Sequence, residues 1–454
     1  MIIYFAVTNF KSFKKRVELS MIAGNYKRFP EHVYTGYSPN LLRSTALYGN
    51  NAAGKSNLII AMEKLKDIVI GRLVVENEDD LPGFRLDDVS IDEPTVFEIE
   101  FLYQKKRYSY YLSFLKGKII EEWLELVLDS STNKTTPIFR RYIDEGKTVI
   151  SMGQGKLGLK EKMRLEIYAE ELQKKRNKPF LLDAFEKDIE GVYDAFTWFA
   201  IYLQIVRPDY YYPAKIPSFE NKSYMKLAKQ ILVALNLGID DLKVEKIKID
   251  DFFGKSDEAI KKEIIESINE DNEPIEYKKN SRVYTIYKEG EDYYVTRLVT
   301  IHGSKSKDVQ FDLDEESTGT QRIIEMLPSI ISSIVTGAVY VFDEIEKSIH
   351  PSIIRKLLEI YLEAGSEFAG QIIFSTHECN LLDLNLLRQD EIWFAEKDND
   401  GVSHIYSLSD FKPRFDKDIR KGYLEGQFSD MPFFTEPEKL NWNGAKEAIC
   451  RQKK

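Results

Sequence analysis

Cysteine is scarce in this chain, with two residues among 454, Cys379 and Cys450. Two thiols cannot build a disulfide framework or a four-thiolate zinc site, and no CxxC spacing occurs, so a reducing compartment is expected. Long apolar runs are missing too. The longest uncharged stretch, Met326 to Phe342, has 17 residues and includes Pro328, Gly337 and several hydroxyl side chains, whereas a bilayer-spanning helix takes about 20 apolar residues. No membrane helix is expected. The opening MIIYFAVTNFKSF lacks a basic segment ahead of an apolar core and a small-residue cleavage site. A cytoplasmic location follows as the expectation. Positive charge is in deficit, with 64 Lys and Arg against 74 Asp and Glu and a net charge of −10. The surface as a whole is therefore no attractor of nucleic acid, and phosphate binding falls to local basic patches. Sustained heptads and repeats of solenoid period are absent, which excludes a long coiled-coil arm and a repeat array.

What is present suits ordinary globular packing. Hydrophobic residues make up 43% and charged residues 30%, and at roughly 150 residues per domain the length implies two to three structural units. Ile2 to Val7 is apolar and β-prone, NFKSF interrupts it, and Val17 to Ile22 resumes the alternation, which predicts two antiparallel opening strands. Pro94 to Phe101, Lys106 to Leu115 and Lys118 to Val127 predict three more strands of an antiparallel meander. From Lys156 to Leu203 apolar residues such as Leu165, Tyr168, Leu172, Phe196 and Phe199 recur near three-to-four spacing, a helical period broken at Pro179. A further helix over Tyr224 to Leu237 ends at Gly238, and residues 240–292 are densely charged. These shifts suggest a first part at 1–150, a helical and charged inserted lobe at 151–280, a return to the first unit at 281–434 and a polar tail at 435–454.

Chemistry concentrates in four places. Gly49, Gly54, Lys55 and Ser56 satisfy GxxxxGK[ST], with a buried-strand pattern before the loop and a helical one after it. Such a loop wraps phosphates with backbone N–H groups, here from Asn50, Asn51, Ala52, Ala53, Gly54 and on to Asn57. Lys55 then reaches the β and γ oxygens and Ser56 ligates Mg²⁺. Next, AVYVF at 338–342 runs into Asp343 and Glu344, two carboxylates at the end of a buried strand. Two anions there need a cation, so Asp343 is expected on Mg²⁺ through water and Glu344 on the attacking water. Alone, such a pair is an ordinary helix-start cap or solvated turn. The phosphate loop upstream is what changes its reading.

The strand QIIFSTH at 371–377 brings His377, a candidate γ-phosphate contact, to the same sheet edge. EESTGTQR at 315–322 places serine, glycine and glutamine ahead of a helix, where hydroxyl and helix N-terminus suit phosphate. By itself Ser317 or Thr318 is adequately explained as a helix cap.

In this order the phosphate loop, S-x-G-x-Q, strand-DE and strand-TH resemble the ABC-class ATPase heads of transporters, SMC proteins, RecF and the OLD proteins. That resemblance implies an α/β fold, an ABC-type head with a mixed P-loop sheet plus an antiparallel β-meander, interrupted by the mainly helical lobe. It also implies that Ser317, Gly319 and Gln321 form a signature motif that caps ATP on a partner subunit in a head-to-head homodimer or higher oligomer. Ser348 to His350 would lie at the D-loop, and His377 would be the switch histidine. More narrowly, NFKSFKKRVELSM, GNNAAGKSN, DEIEKSIHP, STHECNLLD and YLEGQFSDMPFF resemble stand-alone AAA-family bacterial ATPases of the RloA and AbiL type and the ATPase of the PARIS pair. Those proteins are associated with antiphage defence beside a smaller RloB-like effector of Toprim nuclease fold. The resemblance implies an ATP-hydrolysing regulator that works through such a partner. The family's Q-loop glutamine has no clear match, because Gln104 lies in an expected hairpin turn.

An intrinsic Toprim nuclease is disfavoured, since too few residues follow His377 and Asp398 with Asp400 lie in the turn KDNDG. The competing function is a RecF-like ATPase acting on DNA directly. Its basis is positive charge at Lys11, Lys14, Lys15, Arg16, Lys27 and Arg28, and in KKRNK at 174–178. Solvated surface is the alternative reading of both clusters. A transporter subunit lacks any membrane segment of its own.

Overall fold

A computed structural model describes residues 1–129, 134–153, 159–208, 219, 221–254, 257–271, 274–279, 282–303, 308–414 and 417–428. The polar tail expected at 435–454 lies outside the described residues. Two large sheets organise the molecule. The first has seven antiparallel strands, in the order Lys147–Met152, Lys134–Asp144, Lys118–Asp129, Lys106–Leu115, Thr95–Tyr103, Ile2–Thr8 and Val17–Ser20. The meander therefore carries two more strands than its sequence pattern marks. Tyr4 pairs with Ser20 on one side and Glu100 on the other, which closes the amino-terminal hairpin onto the meander.

The second sheet has six strands, in the order Leu203–Val206, Val339–Phe342, Gln371–Ser375, Ser44–Gly49, Ile392–Lys397 and Ser403–Ser407. All neighbours run parallel except the last pair. Parallel pairing puts the carboxyl ends of the strands at 44–49, 339–342 and 371–375 on one edge, where loops from separate parts of the sequence meet. Side-chain alternation decides which core each residue joins. Leu47, Val339, Val341 and Ile373 enter the core shared with the antiparallel sheet, the phosphate-loop helix Lys55–Val69 and the segment around Phe180 to Phe199. Ala46, Tyr340, Phe342, Ile372 and Phe374 enter a second core under the helices Lys222–Ala234, Thr318–Thr336 and Pro351–Leu362. A strand buried on both faces reads as the continuous apolar run that AVYVF shows.

The stretch expected as one inserted lobe is divided by packing. Leu172, Phe180, Trp198 and Phe199 join the first core. Leu203–Val206 then adds an edge strand in register with Val339–Phe342. Ala228, Ile231 and Leu232 join the second core. Among the described residues, Ile249, Phe253, Ile264 and Ile268 pack separately, against Ile286 and Val295. Their partner is a five-stranded sheet built from Asp241–Lys248, Ile275–Lys279, Arg282–Glu289, Asp292–Gly303 and Asp308–Asp312, so this unit runs past residue 280. The period of an apolar stripe marks a helix but not which neighbour covers it, and that choice split the lobe.

Glu122 shows how firmly the helical segment is tied to the meander. This fully buried carboxylate accepts from the backbone of Phe180 at 2.6 Å and Leu181 at 2.9 Å, the first residues of the helix Phe180–Glu186, and from the Tyr110 hydroxyl at 3.0 Å. The Arg141 guanidinium lies 3.6 Å away.

Candidate functional site

The loop between Gly49 and Lys55 bends through conformations that need glycine. Gly54 has φ +113°, and a Cβ there would sit 2.6 Å from Ser403 Oγ. Ala52, at φ +63°, holds a left-handed conformation without that freedom, a strained position of the kind ligand-binding loops keep. The helix Lys55–Val69 starts directly after Gly54, so its N-terminal N–H groups open toward the loop. Lys55 is 4% exposed, and its ammonium donates to the carbonyls of Gly49 at 2.6 Å and Asn50 at 3.0 Å and lies 3.4 Å from His377 Nδ1. Burial lowers the Lys55 pKa to about 8, against the pull of Asp343, Glu346 and Glu344. His377 is lowered by loss of hydration and by the Lys55 charge, which favours a neutral imidazole.

Asp343, 2% exposed, ends its strand beside the phosphate loop. Its Oδ1 accepts from Ser56 Oγ at 3.1 Å and from Ser375 Oγ at 2.7 Å. Ser375 Oγ in turn accepts from the Glu344 N–H at 2.8 Å. Glu344 has φ +53°, a left-handed conformation unusual for a non-glycine residue, and the Ser375 contact helps to hold it. Glu346 Oε1 accepts from the His377 N–H at 2.6 Å, which joins the loop after Asp343 to the one after Ser375, while Glu346 Oε2 is buried without a hydrogen-bond partner. Thus Lys55, Ser56, Asp343, Glu344 and His377, proposed from separate parts of the sequence, meet at one sheet edge.

Sequence reasoning passed over several neighbours. Ser375 and Glu346 lie inside quoted motifs but only tertiary contact gives them partners. Ser12 Oγ accepts from Asn57 Nδ2 at 2.8 Å and from Ser403 Oγ at 2.8 Å, so NFKSF braces the start of the phosphate-loop helix. Arg207 follows the edge strand in register with Val339–Phe342, 3.7 Å from Glu63, and its buried Nη1 lacks a hydrogen bond. No motif points to it. Gln104 occupies the hairpin turn after Thr95–Tyr103 with φ +48°.

The residues Ser317, Gly319 and Gln321 are not gathered with the others. Ser317 caps the helix Thr318–Thr336 by accepting from the Thr320 N–H at 3.1 Å, and Gln321 Nε2 donates to the Glu316 carbonyl at 2.7 Å. Gly319 packs against Ser348, where a Cβ would lie 2.7 Å from the Ser348 carbonyl oxygen. Ser317 is exposed, so the face it presents is open to another molecule. Asp398 caps its own hairpin turn, accepting from Asp400 N at 3.0 Å and Val402 N at 2.9 Å.

The donor set fits Mg²⁺ held jointly with a nucleotide. A hydroxyl and a buried carboxylate 3.1 Å apart offer hard oxygens, and among the described residues no group of three His, Cys, Asp or Glu forms a complete metal cage. Mg²⁺ is commonly held this way, by one or two protein oxygens with phosphates and water filling the remaining positions.

The family described as "AAA domain, putative AbiEii toxin, Type IV TA system" matches residues 44–154 and 181–383. Both matched segments contain site residues. No curated protein matches the chain. Among solved structures, the SMC head domain from Thermotoga maritima is 12% identical with a TM-score of 0.38, covering 89% of this chain and 98% of that one. An SmcHead bound to the C-winged helix domain of ScpA is 13% identical with a TM-score of 0.39, covering 89% and 97%. An Smc head with an extended coiled coil, bound to the C-terminal domain of ScpA derived from Pyrococcus furiosus, is 14% identical with a TM-score of 0.38, covering 90% and 97%. No helix among the described residues is long and apolar enough to cross a membrane.

Proposed function

The chain belongs to the AAA-domain family whose description names AbiEii, and from that premise we propose that it is an ATP-hydrolysing regulator that passes its nucleotide state to a partner protein. The observation that carries the proposal is the Lys55, Ser56, Asp343, Ser375 and Glu344 cluster, drawn from three parallel strands onto one edge. ATP phosphates would replace the Gly49 and Asn50 carbonyls as partners of Lys55. Ser56 and Asp343 would hold Mg²⁺, which when bound supplies charge neutralisation of the β and γ oxygens. Glu344 orients the attacking water and accepts its proton, with its backbone fixed through Ser375. His377, kept neutral beside Lys55, is placed to contact the γ-phosphate as a hydrogen-bonding group.

The exposed Ser317 face supports a trans arrangement in which Ser317, Gly319 and Gln321 cap ATP held by a second copy. An antiphage role with a Toprim-type effector is the fuller form of this proposal and rests on the motif resemblance. Part of the basic charge that suggested direct action on DNA is paired within the fold. Lys14 pairs with Asp87 at 2.6 Å, Arg16 with Glu18 at 2.7 Å and Glu98 at 2.8 Å, and Lys178 with Asp183 and Glu186.

The deciding experiment measures the solution mass of Glu344→Gln protein with and without ATP and Mg²⁺, after co-expression with the product of the neighbouring gene. An ATP-dependent dimer or larger assembly that retains the small partner is expected. A monomer that ignores ATP would overturn the regulator reading, and an assembly of this chain alone would remove the effector.

A further inference from the structure

A cavity of about 890 Å³ lies away from the phosphate loop. It opens between the first turns of the helix Pro351–Leu362, the loop after His377 and the short helix Ile419–Leu424, with Arg28 contributed from the amino-terminal region. Four cations line it, Arg28, Arg355, Lys417 and Arg420, against two carboxylates, Asp383 and Asp418. Both carboxylates are engaged within the fold. Asp383 accepts from Arg355 Nη1 at 2.9 Å, and Asp418 caps the Ile419–Leu424 helix by accepting from Lys421 N at 3.0 Å. Arg420 Nη1 donates to Asn380 Oδ1 at 3.0 Å, and the Lys417 ammonium lies over the Phe428 ring at 4.9 Å. Among the described residues, neither Lys417 nor Arg420 has a carboxylate of the cavity wall within ion-pair distance. Arg355 also pairs with Glu359 at 3.2 Å, so the positive excess of the wall rests on Arg28, Lys417 and Arg420, in a chain of net charge −10.

A recess that concentrates one sign of charge focuses its field and raises the local concentration of the opposite ion. The volume falls in the range of small-molecule sites, and the cations converge from three separate segments, at Arg28, at Arg355 and at Lys417 with Arg420, instead of forming a stripe along a surface. Ser352, Asn380 and Asn385 add neutral hydrogen-bonding groups, while Leu382, Leu384 and Ile419 supply apolar wall. Convergent arginines beside an apolar wall suit a molecule with a phosphate and an organic body. We propose that this cavity binds an organic phosphate of nucleotide size, at a site separate from the ATP of the phosphate loop.

Position gives that ligand a consequence. One wall begins two residues after Ser348, whose carbonyl touches Gly319, and another begins three residues after His377. Occupancy therefore bears on both loops that border the ATP site. This regulatory half rests on the ATPase reading, whereas the binding half does not.

The test uses the full chain carrying Lys55→Ala, which silences the phosphate loop, titrated calorimetrically with inorganic pyrophosphate at low salt. Saturable binding is expected, weakened about 10-fold or more by Arg420→Glu and several-fold by Lys417→Ala. Melting temperatures show whether each variant is folded, and Arg28→Ala serves where Arg420→Glu is not. The proposal is overturned by no saturation at millimolar pyrophosphate, by equal affinity in folded variants, or by equal binding of citrate. Tighter, steeply salt-dependent binding of a short DNA duplex that the same variants lose would also overturn it, by making the recess a nucleic-acid surface. Wild-type protein without ATP turnover but with pyrophosphate binding intact in the Lys55→Ala chain would sink the ATPase reading alone.

Discussion

Ser56 Oγ donates to Asp343 Oδ1 at 3.1 Å although the two residues are 287 positions apart, and Ser375 Oγ donates to the same oxygen at 2.7 Å. Three strands thus deliver one carboxylate and two hydroxyls to a single point. The second hydroxyl also receives the Glu344 N–H, so the metal-side and water-side groups of the proposed reaction share one anchor.

Ser375→Ala removes that anchor and leaves the phosphate loop whole. Turnover is expected to fall about 10-fold, the size of a lost buried hydrogen bond, with ATP affinity changed little. Steady-state kinetics beside equilibrium nucleotide binding checks it. An equal loss in both would make Ser375 a binding residue instead.

Glu344→Gln should bind ATP normally and lose about 100-fold or more in turnover, because an amide cannot accept the proton of the attacking water. Single-turnover hydrolysis measures it. Retained activity would move the base to another carboxylate, with Glu346, whose Oε2 is buried without a hydrogen-bond partner, as a candidate.

Lys55 makes nucleotide binding pH-dependent. Its pKa is about 8 in the free protein, and phosphates restore the charged form, so ATP binding above about pH 8 should take up a proton and weaken as pH rises. Lys55→Arg should remove the dependence, since a guanidinium stays charged. Calorimetry in buffers of different ionisation enthalpy counts the proton. The same lowered pKa acts on folding in the opposite sense. The unfolded chain binds more protons between about 8 and 10.5, so the penalty for burying the ammonium is full below that window and is relieved across it.

Gly319→Ala would drive a methyl group into the Ser348 carbonyl oxygen, 2.7 Å from the ideal Cβ. The turn must shift, at a cost of about 1–3 kcal/mol, and the exposed Ser317 moves with it. ATP binding by one protomer should survive while ATP-dependent dimer formation fails, as it should for Ser317→Arg. Light scattering with ATP and Mg²⁺ reads the outcome, and an undisturbed dimer in both variants would remove this face from the interface.

Much of the site was legible because each motif is local. The glycine-bracketed loop states its own backbone need, and a short apolar run ending in acid states a buried strand with a charged tip. Residues such as Ser375, Glu346, Ser12 and Arg207 carry no such pattern. A serine at a strand end acquires meaning only when Asp343 and Glu344 come within hydrogen-bond reach. The helical segment Phe180 to Phe199 shows the same limit, since its period announced a helix while its burial against the meander depends on a pocket built by Tyr110, Glu122 and Arg141.

The sequence by itself determined the phosphate loop and the apolar strands that carry the other motifs, because these follow from local residue type and short-range period. Tertiary structure alone decided that the strand Leu203–Val206 borders Val339–Phe342, that the inserted stretch divides among three cores and that Ser317 is left exposed at the start of its helix. Strand order and the partner of an apolar face are set by long-range packing, and a one-dimensional pattern specifies that a face must be covered without specifying by what.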